Sequence, residues 1–168
     1  GQGSGHINSW CSLSENRNIR LKTICDVDEQ YYAEKPKTVF DKTGVTPVTE
    51  WDMRKVFDDK DIHAVSFAVP NHWHALGTIR ACQAGKHVYV EKPACHNIFE
   101  GRKMIEASRK YNVRVQTGFQ NRSINNVMEA MKFLHDGGIG EVYMANRVIH
   151  SALQKTLLRL QPCTMNSG

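Results

Sequence analysis

Residues 64–69, AVSFAV, form an unbroken apolar run that Pro70 stops. A strand covered by helices on both faces of a parallel sheet needs such a run, whereas a strand with one wet face alternates polar and apolar residues. From about residue 20 to residue 150, short runs rich in β-branched residues alternate with longer segments of helical period. Parallel strands are joined by crossovers long enough to hold a helix, so the alternation predicts βαβ units. The fold class this implies is α/β, with a doubly wound parallel sheet.

Local signals place the elements. Residues 19–25 predict a strand and 29–42 a helix containing Pro36, with Gly44 as its stop. A strand at 45–48 and a helix at 51–58 follow, then the AVSFAV strand. Asn71 is a cap for a helix running to residue 84, Gly85 ends it, and 87–90 is the next strand. Asn97 and Glu100 have capping-box spacing and open a helix to about Lys110. A strand at 113–117 precedes a helix at 124–135, with Val127, Met131 and Leu134 on one side, which Gly137-Gly138 ends. Residues 141–150 predict a last strand. Residues 1–150 then read as one nucleotide-binding domain, incomplete at its N-terminus, and 151–168 as a tail, either non-native or the start of a linker. Its only pattern is the cluster Leu153, Leu157, Leu158 and Leu160.

The chain opens on Gly1-Gln2-Gly3-Ser4-Gly5-His6, ahead of a segment, 7–13, that can be helical. Glycines let backbone N–H groups approach a pyrophosphate, and a helix N-terminus adds partial positive charge. Gly3, Ser4, Gly5 and His6 are therefore candidate dinucleotide contacts. The G-x-G-x-x-G spacing fails if Gly1 and Gly3 are its first two glycines, because His6 then fills the third position. Taking Gly3 as the third glycine restores it and puts the feeding strand ahead of residue 1, so a Rossmann-type sheet without its first strand is expected. A flexible Gly/Ser-rich start is the alternative. Asp26 follows the run 21–25, where the second strand of such a unit places an acid for the adenosine ribose hydroxyls. A carboxylate there repels a 2′-phosphate and favours NAD over NADP. A solvated strand end, with Asp28 capping the next helix, accounts for the same residues.

Composition removes several classes. At 168 residues, 40% hydrophobic and 23% charged, the chain reads as an ordinary globular domain. No apolar run approaches the roughly 20 residues of a membrane span. No basic segment followed by an apolar core marks a signal peptide, and an export signal on a longer precursor is left open. The formal charge of +5 suits an anionic partner, but lysines and arginines are interspersed with acids, against nucleic acid. Five cysteines, an odd number without a CxxC pair, argue against a zinc site or a disulfide framework and for a reducing cytoplasm. Cys25 and Cys82 fall in apolar stretches and are expected to be buried. His72 and His74, two apart, point in divergent directions with no third ligand cluster, so no metal is expected.

Two strand ends carry the densest chemistry: Pro70-Asn71-His72-Trp73-His74 and Glu91-Lys92-Pro93-Ala94. Both fall at the carboxyl edge, where ligands bind in open α/β sheets. A lysine held there can hydrogen-bond a substrate hydroxyl or move a proton, and Pro93 stiffens the turn that aims it. A solvated turn lysine is the plain alternative. Together with Gly3-Ser4-Gly5-His6, Cys25-Asp26-Val27-Asp28, Ala84-Gly85-Lys86-His87-Val88 and Gly118-Phe119-Gln120-Asn121-Arg122, these motifs span most of residues 1–150. In order and spacing they resemble the glucose-fructose oxidoreductase / inositol dehydrogenase / rhizopine catabolism (Gfo/Idh/MocA) family. The Glu-Lys-Pro turn after AGKHVYV is the most specific of them.

The resemblance implies an NAD(P)-binding Rossmann domain whose catalytic residue is Lys92, near the nicotinamide and substrate. It further implies that Pro70, Asn71 and His74 line the cofactor cleft, that Glu91 lies beside the ribose with Pro93 in the same turn, and that Gln120 is near the dinucleotide. Hydride then passes between the carbinol carbon of a sugar or polyol and nicotinamide C4. Members of the family continue into an α+β substrate domain that supplies further catalytic groups and much of the oligomer interface. The expectation is that this domain is absent here and that the parent is a homo-oligomer. Two other readings stay open: a non-catalytic nucleotide-binding remnant, and a fragment of a glycosidase that uses NAD transiently.

Overall fold

The computed structural model describes residues 1–145. The chain divides into two units, Gly1–Asn121 and Arg122–Gly168. The first unit runs α1 (Gln2–Arg17), β1 (Thr23–Cys25), α2 (Tyr31–Thr43), β2 (Val48–Glu50), α3 (Met53–Asp58), β3 (Ala64–Phe67), α4 (His74–Gln83), β4 (His87–Glu91), α5 (Ile98–Lys110) and β5 (Val115–Gly118). Every ladder is parallel. β1 pairs with β2, and β3, β4 and β5 form a second sheet with β4 in the middle. The expected α/β class of Rossmann type therefore stands, divided into two small sheets.

Caps and glycines set the helix ends. Asp52 caps α3 by accepting the Arg54 N–H, and Asn97 caps α5 by accepting the Glu100 N–H at 2.9 Å. Glu100 returns its carboxylate to the His96 N–H, one residue ahead of the usual box. Gly85, at φ +73°, makes the left-handed turn that lets the chain re-enter the sheet as β4.

The core lies on one face of the second sheet. Val65, Phe67, Val88 and Val90 share that face by register. Phe67, Val88 and Val90 pack with Phe57 of α3, Ala75, Ala81 and Cys82 of α4, Met104 and Ala107 of α5, and Val113. Each valine or phenylalanine buried this way contributes about 1.5–3 kcal/mol. Ser66 and Tyr89 face the other way, where the His6 and Trp10 rings of α1 meet Tyr89 edge-on at 5.4 and 6.4 Å. The sheet is thus held between α1 and the pair α4–α5.

Several expectations are corrected. The glycine-rich start is not a turn: Gly3, Ser4, Gly5 and His6 lie inside α1, with Gly1 as its N-cap. The helix hydrogen bonds running back from Ile7 outweigh the ~1 kcal/mol that each helical glycine costs. β1 keeps three of the seven residues in 19–25, because its ladder with β2 has only three pairs. β2 starts at Val48 rather than 45, since Pro47 has no N–H to give the ladder. The AVSFAV strand is an edge strand of its sheet rather than a central one, with Ala64 and Ser66 exposed. Asn71 opens a 3-10 turn, Asn71–Trp73, and does not cap α4, which starts at His74 without a side-chain cap. Cys25, the last residue of the three-residue β1, is exposed, while Cys82 is fully buried.

In the second unit, α6 (Asn125–His135) leaves Val127, Met128, Met131 and Phe133 exposed, and Gly137 at φ +81° follows it. Residues 141–145 form no regular element, against the strand expected over 141–150. The rest of that strand and the tail 151–168 with its leucines lie outside the described residues. Among the described residues, no helix is long and apolar enough to cross a membrane.

Candidate functional site

The parallel ladders bring their carboxyl ends out at turns that carry the predicted residues. At the end of β1, the Asp26 N–H donates to the Glu50 carbonyl at 3.1 Å and the Asp26 carbonyl accepts from the Tyr32 hydroxyl at 2.7 Å. Its Oδ1 accepts the Asp28 N–H at 3.0 Å, which holds the carboxylate at the strand end. Asp26 borders a cavity of about 1770 Å³ together with Gly1, Gln2, Gly3, Ser4, Val69 and Pro70. The first turn of α1 carries no acidic residue, and its N-cap makes no side-chain bond. Its first N–H groups are therefore available to an anion. A Cβ added at Gly3 would lie 3.9 Å from Ala68 Cβ, so α1 starts in close approach to the end of β3.

At the end of β4 the side chains form a network. Glu91 is 4% exposed. Its Oε1 lies 2.9 Å from His6 Nε2 and also accepts from Gln120 Nε2, while its Oε2 accepts the Lys92 N–H at 3.2 Å. Burial pushes the Glu91 carboxyl up, but donors from His6, the Lys92 N–H and Gln120 together hold it below the usual carboxylate range. His6 is anchored in turn, with Nδ1 2.8 Å from Ser66 Oγ. Gly118 pairs with Glu91 across the ladder, and a Cβ there would stand 2.8 Å from the Tyr89 hydroxyl. A side chain there would have to displace the Tyr89 hydroxyl.

His74, 1% exposed, joins the two strand-end turns. Its Nδ1 lies 2.6 Å from the Pro93 carbonyl and its Nε2 3.0 Å from the Val69 carbonyl. The Lys92–Pro93 peptide is cis, and both residues are exposed on this turn.

The structure thus brings His6, Glu91 and Gln120 into one hydrogen-bonded group and ties His74 to Pro93. Gly3, Ser4, Asp26 and Pro70 border the cavity. Asn71 and Lys92 present exposed side chains from the two turns, and Gly5 lies exposed on α1 with nothing within 4 Å of a Cβ there. Sequence reasoning passed over Ser66, Tyr89 and Trp10, which hold His6 and its helix in place. Ser66 could have been found, being the one polar residue inside AVSFAV. Among the described residues, no group of three or more His, Cys, Asp or Glu could hold a metal ion.

A parallel α/β fold with an open helix N-terminus at the strand ends and an acid closing a neighbouring strand defines a dinucleotide-fold protein. Residues 2–119 match the oxidoreductase family with an NAD-binding Rossmann fold, GFO_IDH_MocA, and the chain belongs to that family. It is 38% identical over 91 residues to levoglucosan dehydrogenase from Pseudarthrobacter phenanthrenivorans, covering 54% of this chain and 23% of that protein. In fold it is similar to scyllo-inositol dehydrogenase from Lactobacillus casei, solved with bound NAD(H) and scyllo-inositol. The TM-score is 0.67 at 23% identity, over 83% of this chain and 39% of that one. A 3-ketoreductase from Actinomadura kijaniata in complex with TDP-benzene and NADP is similar at a TM-score of 0.65 and 21% identity, over 78% and 38% of the two chains. The chain thus spans two fifths or less of the length of these relatives.

Proposed function

We propose that residues 1–150 are the dinucleotide-binding domain of an NAD-dependent oxidoreductase acting on a sugar or polyol, with 151–168 as a tail outside it. The reading rests on the Glu91 network. A buried carboxylate is fixed by His6 of α1 and by Gln120, directly ahead of the exposed Lys92. That couples the helix whose N-terminus would hold the pyrophosphate to the turn that would face the substrate.

The residues fit the group. The first N–H groups of α1 would hold the pyrophosphate, with Gly3 and Ser4 at the cavity wall, and Asp26 would accept from the adenosine ribose hydroxyls. Pro70 and Asn71 would form the cleft wall, with His74 behind them holding the two turns together. Glu91, with Pro93 and Gln120, would shape the turn beside the nicotinamide ribose. The nicotinamide ring, when bound, supplies the hydride acceptor or donor. Lys92 Nζ is the group that would hydrogen-bond the reacting hydroxyl and take or return its proton. Levoglucosan and inositol, named for two relatives, set the substrate class as a cyclic polyhydroxy compound. Assembly into homo-oligomers in the cytoplasm completes the reading.

Asp26 is the residue on which the choice between NAD and NADP would turn. Its carboxylate would repel a 2′-phosphate, so calorimetric titration is expected to give tighter binding of NAD than of NADP. Asp26→Ser should narrow that preference by about tenfold or more, on the order of one lost charge-assisted hydrogen bond. Equal affinity for the two cofactors in the unaltered chain would refute the assignment.

A further inference from the structure

One acid stands where the three strands of the second sheet end. The residues that close β3, β4 and β5, at 68–74, 91–97 and 118–121, include a single Asp or Glu, which is Glu91. Its partners are donors that need carry no charge: His6 Nε2 at 2.9 Å, Gln120 Nε2, and the Lys92 main-chain N–H at 3.2 Å. The Ser66 hydroxyl, 2.8 Å from His6 Nδ1, can donate to that nitrogen, which leaves the His6 proton on Nε2 and the ring neutral. Among the described residues no lysine or arginine pairs with Glu91, and Lys92 Nζ, although next in the chain, makes no ion pair.

Neutral donors stabilise an ionised carboxylate without cancelling its charge. Burial pushes the Glu91 carboxyl up, yet the three donors hold it below the usual range, so the charge is present at neutral pH. This rim of the sheet thus carries one uncompensated negative charge, only 4% exposed. The opposing charge on the same turn is Lys92, whose side chain is exposed. Coulomb energy rises as the local dielectric constant falls, and solvent and salt screen exposed charges far more than buried ones. The buried carboxylate therefore outweighs the exposed ammonium in the field at this rim.

We infer that Glu91, on the reading above that the nicotinamide end of the dinucleotide lies at its turn, makes this site bind the oxidised form more tightly than the reduced form. The oxidised ring carries a positive charge that the reduced ring lacks, while the phosphates, riboses and adenine are the same in both. Contacts at α1 and at Asp26 consequently cannot tell the two forms apart. A fixed negative charge at the ring end of the cleft can, because it interacts with the one charge that differs. This choice is separate from that between NAD and NADP, which turns on the adenosine ribose and on the end of a different strand.

The test is calorimetric titration of the whole chain with oxidised NAD, with NADH, and with ADP-ribose, which has no nicotinamide ring. Oxidised NAD is expected to bind about tenfold more tightly than NADH. Glu91→Gln, which keeps the size and a hydrogen-bonding side chain, should bring the two affinities to within about twofold by weakening oxidised NAD, and should leave ADP-ribose unchanged. Asp26→Ser should weaken all three ligands alike and keep the ratio of oxidised to reduced. Equal affinity for the two forms in the unaltered chain, or tighter binding of NADH, overturns the inference whether or not the Glu91 variant folds. Binding of ADP-ribose in that case leaves the dinucleotide-binding reading in place. Loss of both forms by the same factor in Glu91→Gln overturns it too, by giving Glu91 a role of shape alone. Failure of all three ligands to bind overturns the dinucleotide-binding reading and this inference with it.

Discussion

A carboxylate that is 4% exposed has lost most of its hydration, and at Glu91 that loss is offset by donors from His6, Gln120 and the Lys92 main chain. Because the folded carboxyl titrates below its unfolded value of ~4.3, its contribution is complete above that value and disappears as pH falls through the folded value. The difference in melting temperature between the natural chain and Glu91→Gln is therefore expected to be largest near neutral pH and to shrink below about pH 4. A difference constant across that range would mean that the side chain serves by shape alone. His74 acts by position, lodged between the Pro93 and Val69 carbonyls. His74→Ala should cost about 2–4 kcal/mol in urea unfolding, from a cavity and carbonyls stripped of a donor, and His74→Gln should recover part of it. At this scale the sequence marked Glu91 and His74 through strand-end motifs that resemble the family's, and His6 through the glycine-rich start. It could not show that Glu91 and His6, 85 positions apart, bond to each other, since that depends on how α1 crosses the sheet.

Elements were legible where a local signal has a local cause. The Asn97–Glu100 spacing predicts the start of α5, and Asn97 does accept the Glu100 N–H. Asn97→Ala is accordingly expected to lower stability by about 1 kcal/mol, measured by thermal unfolding, with no shift in the amide signals of the β4 end. Strand lengths were not legible, because a strand persists only as far as its neighbour does. β1 stops at three residues where β2 stops, although the strand expected from the sequence extends back to Ile19. The AVSFAV run also misled in one respect. Its composition is that of a central strand, but β3 has a sheet neighbour on one side only. Propensity misled at the N-terminus, where glycines read as a turn are carried along by the helix that follows them.

Across the whole first unit, two separate sheets place their carboxyl ends on residues that a single dinucleotide would need together. Gly3 and Asp26 border the cavity, and the Glu91–His6–Gln120 group joins α1 to the end of β4. The sequence order of the motifs was enough to show the family, while the division into two sheets depends on strand partners that no local signal reports. The most direct measurement of the central claim is a titration of the chain with NAD, followed residue by residue in amide NMR spectra. The account expects one saturable event, with shifts at Gly3, Asp26, Asn71, Glu91 and Gln120 developing at a common affinity. No shifts up to millimolar NAD, or shifts at Gly3 and Asp26 that leave Asn71, Glu91 and Gln120 unmoved, would contradict it.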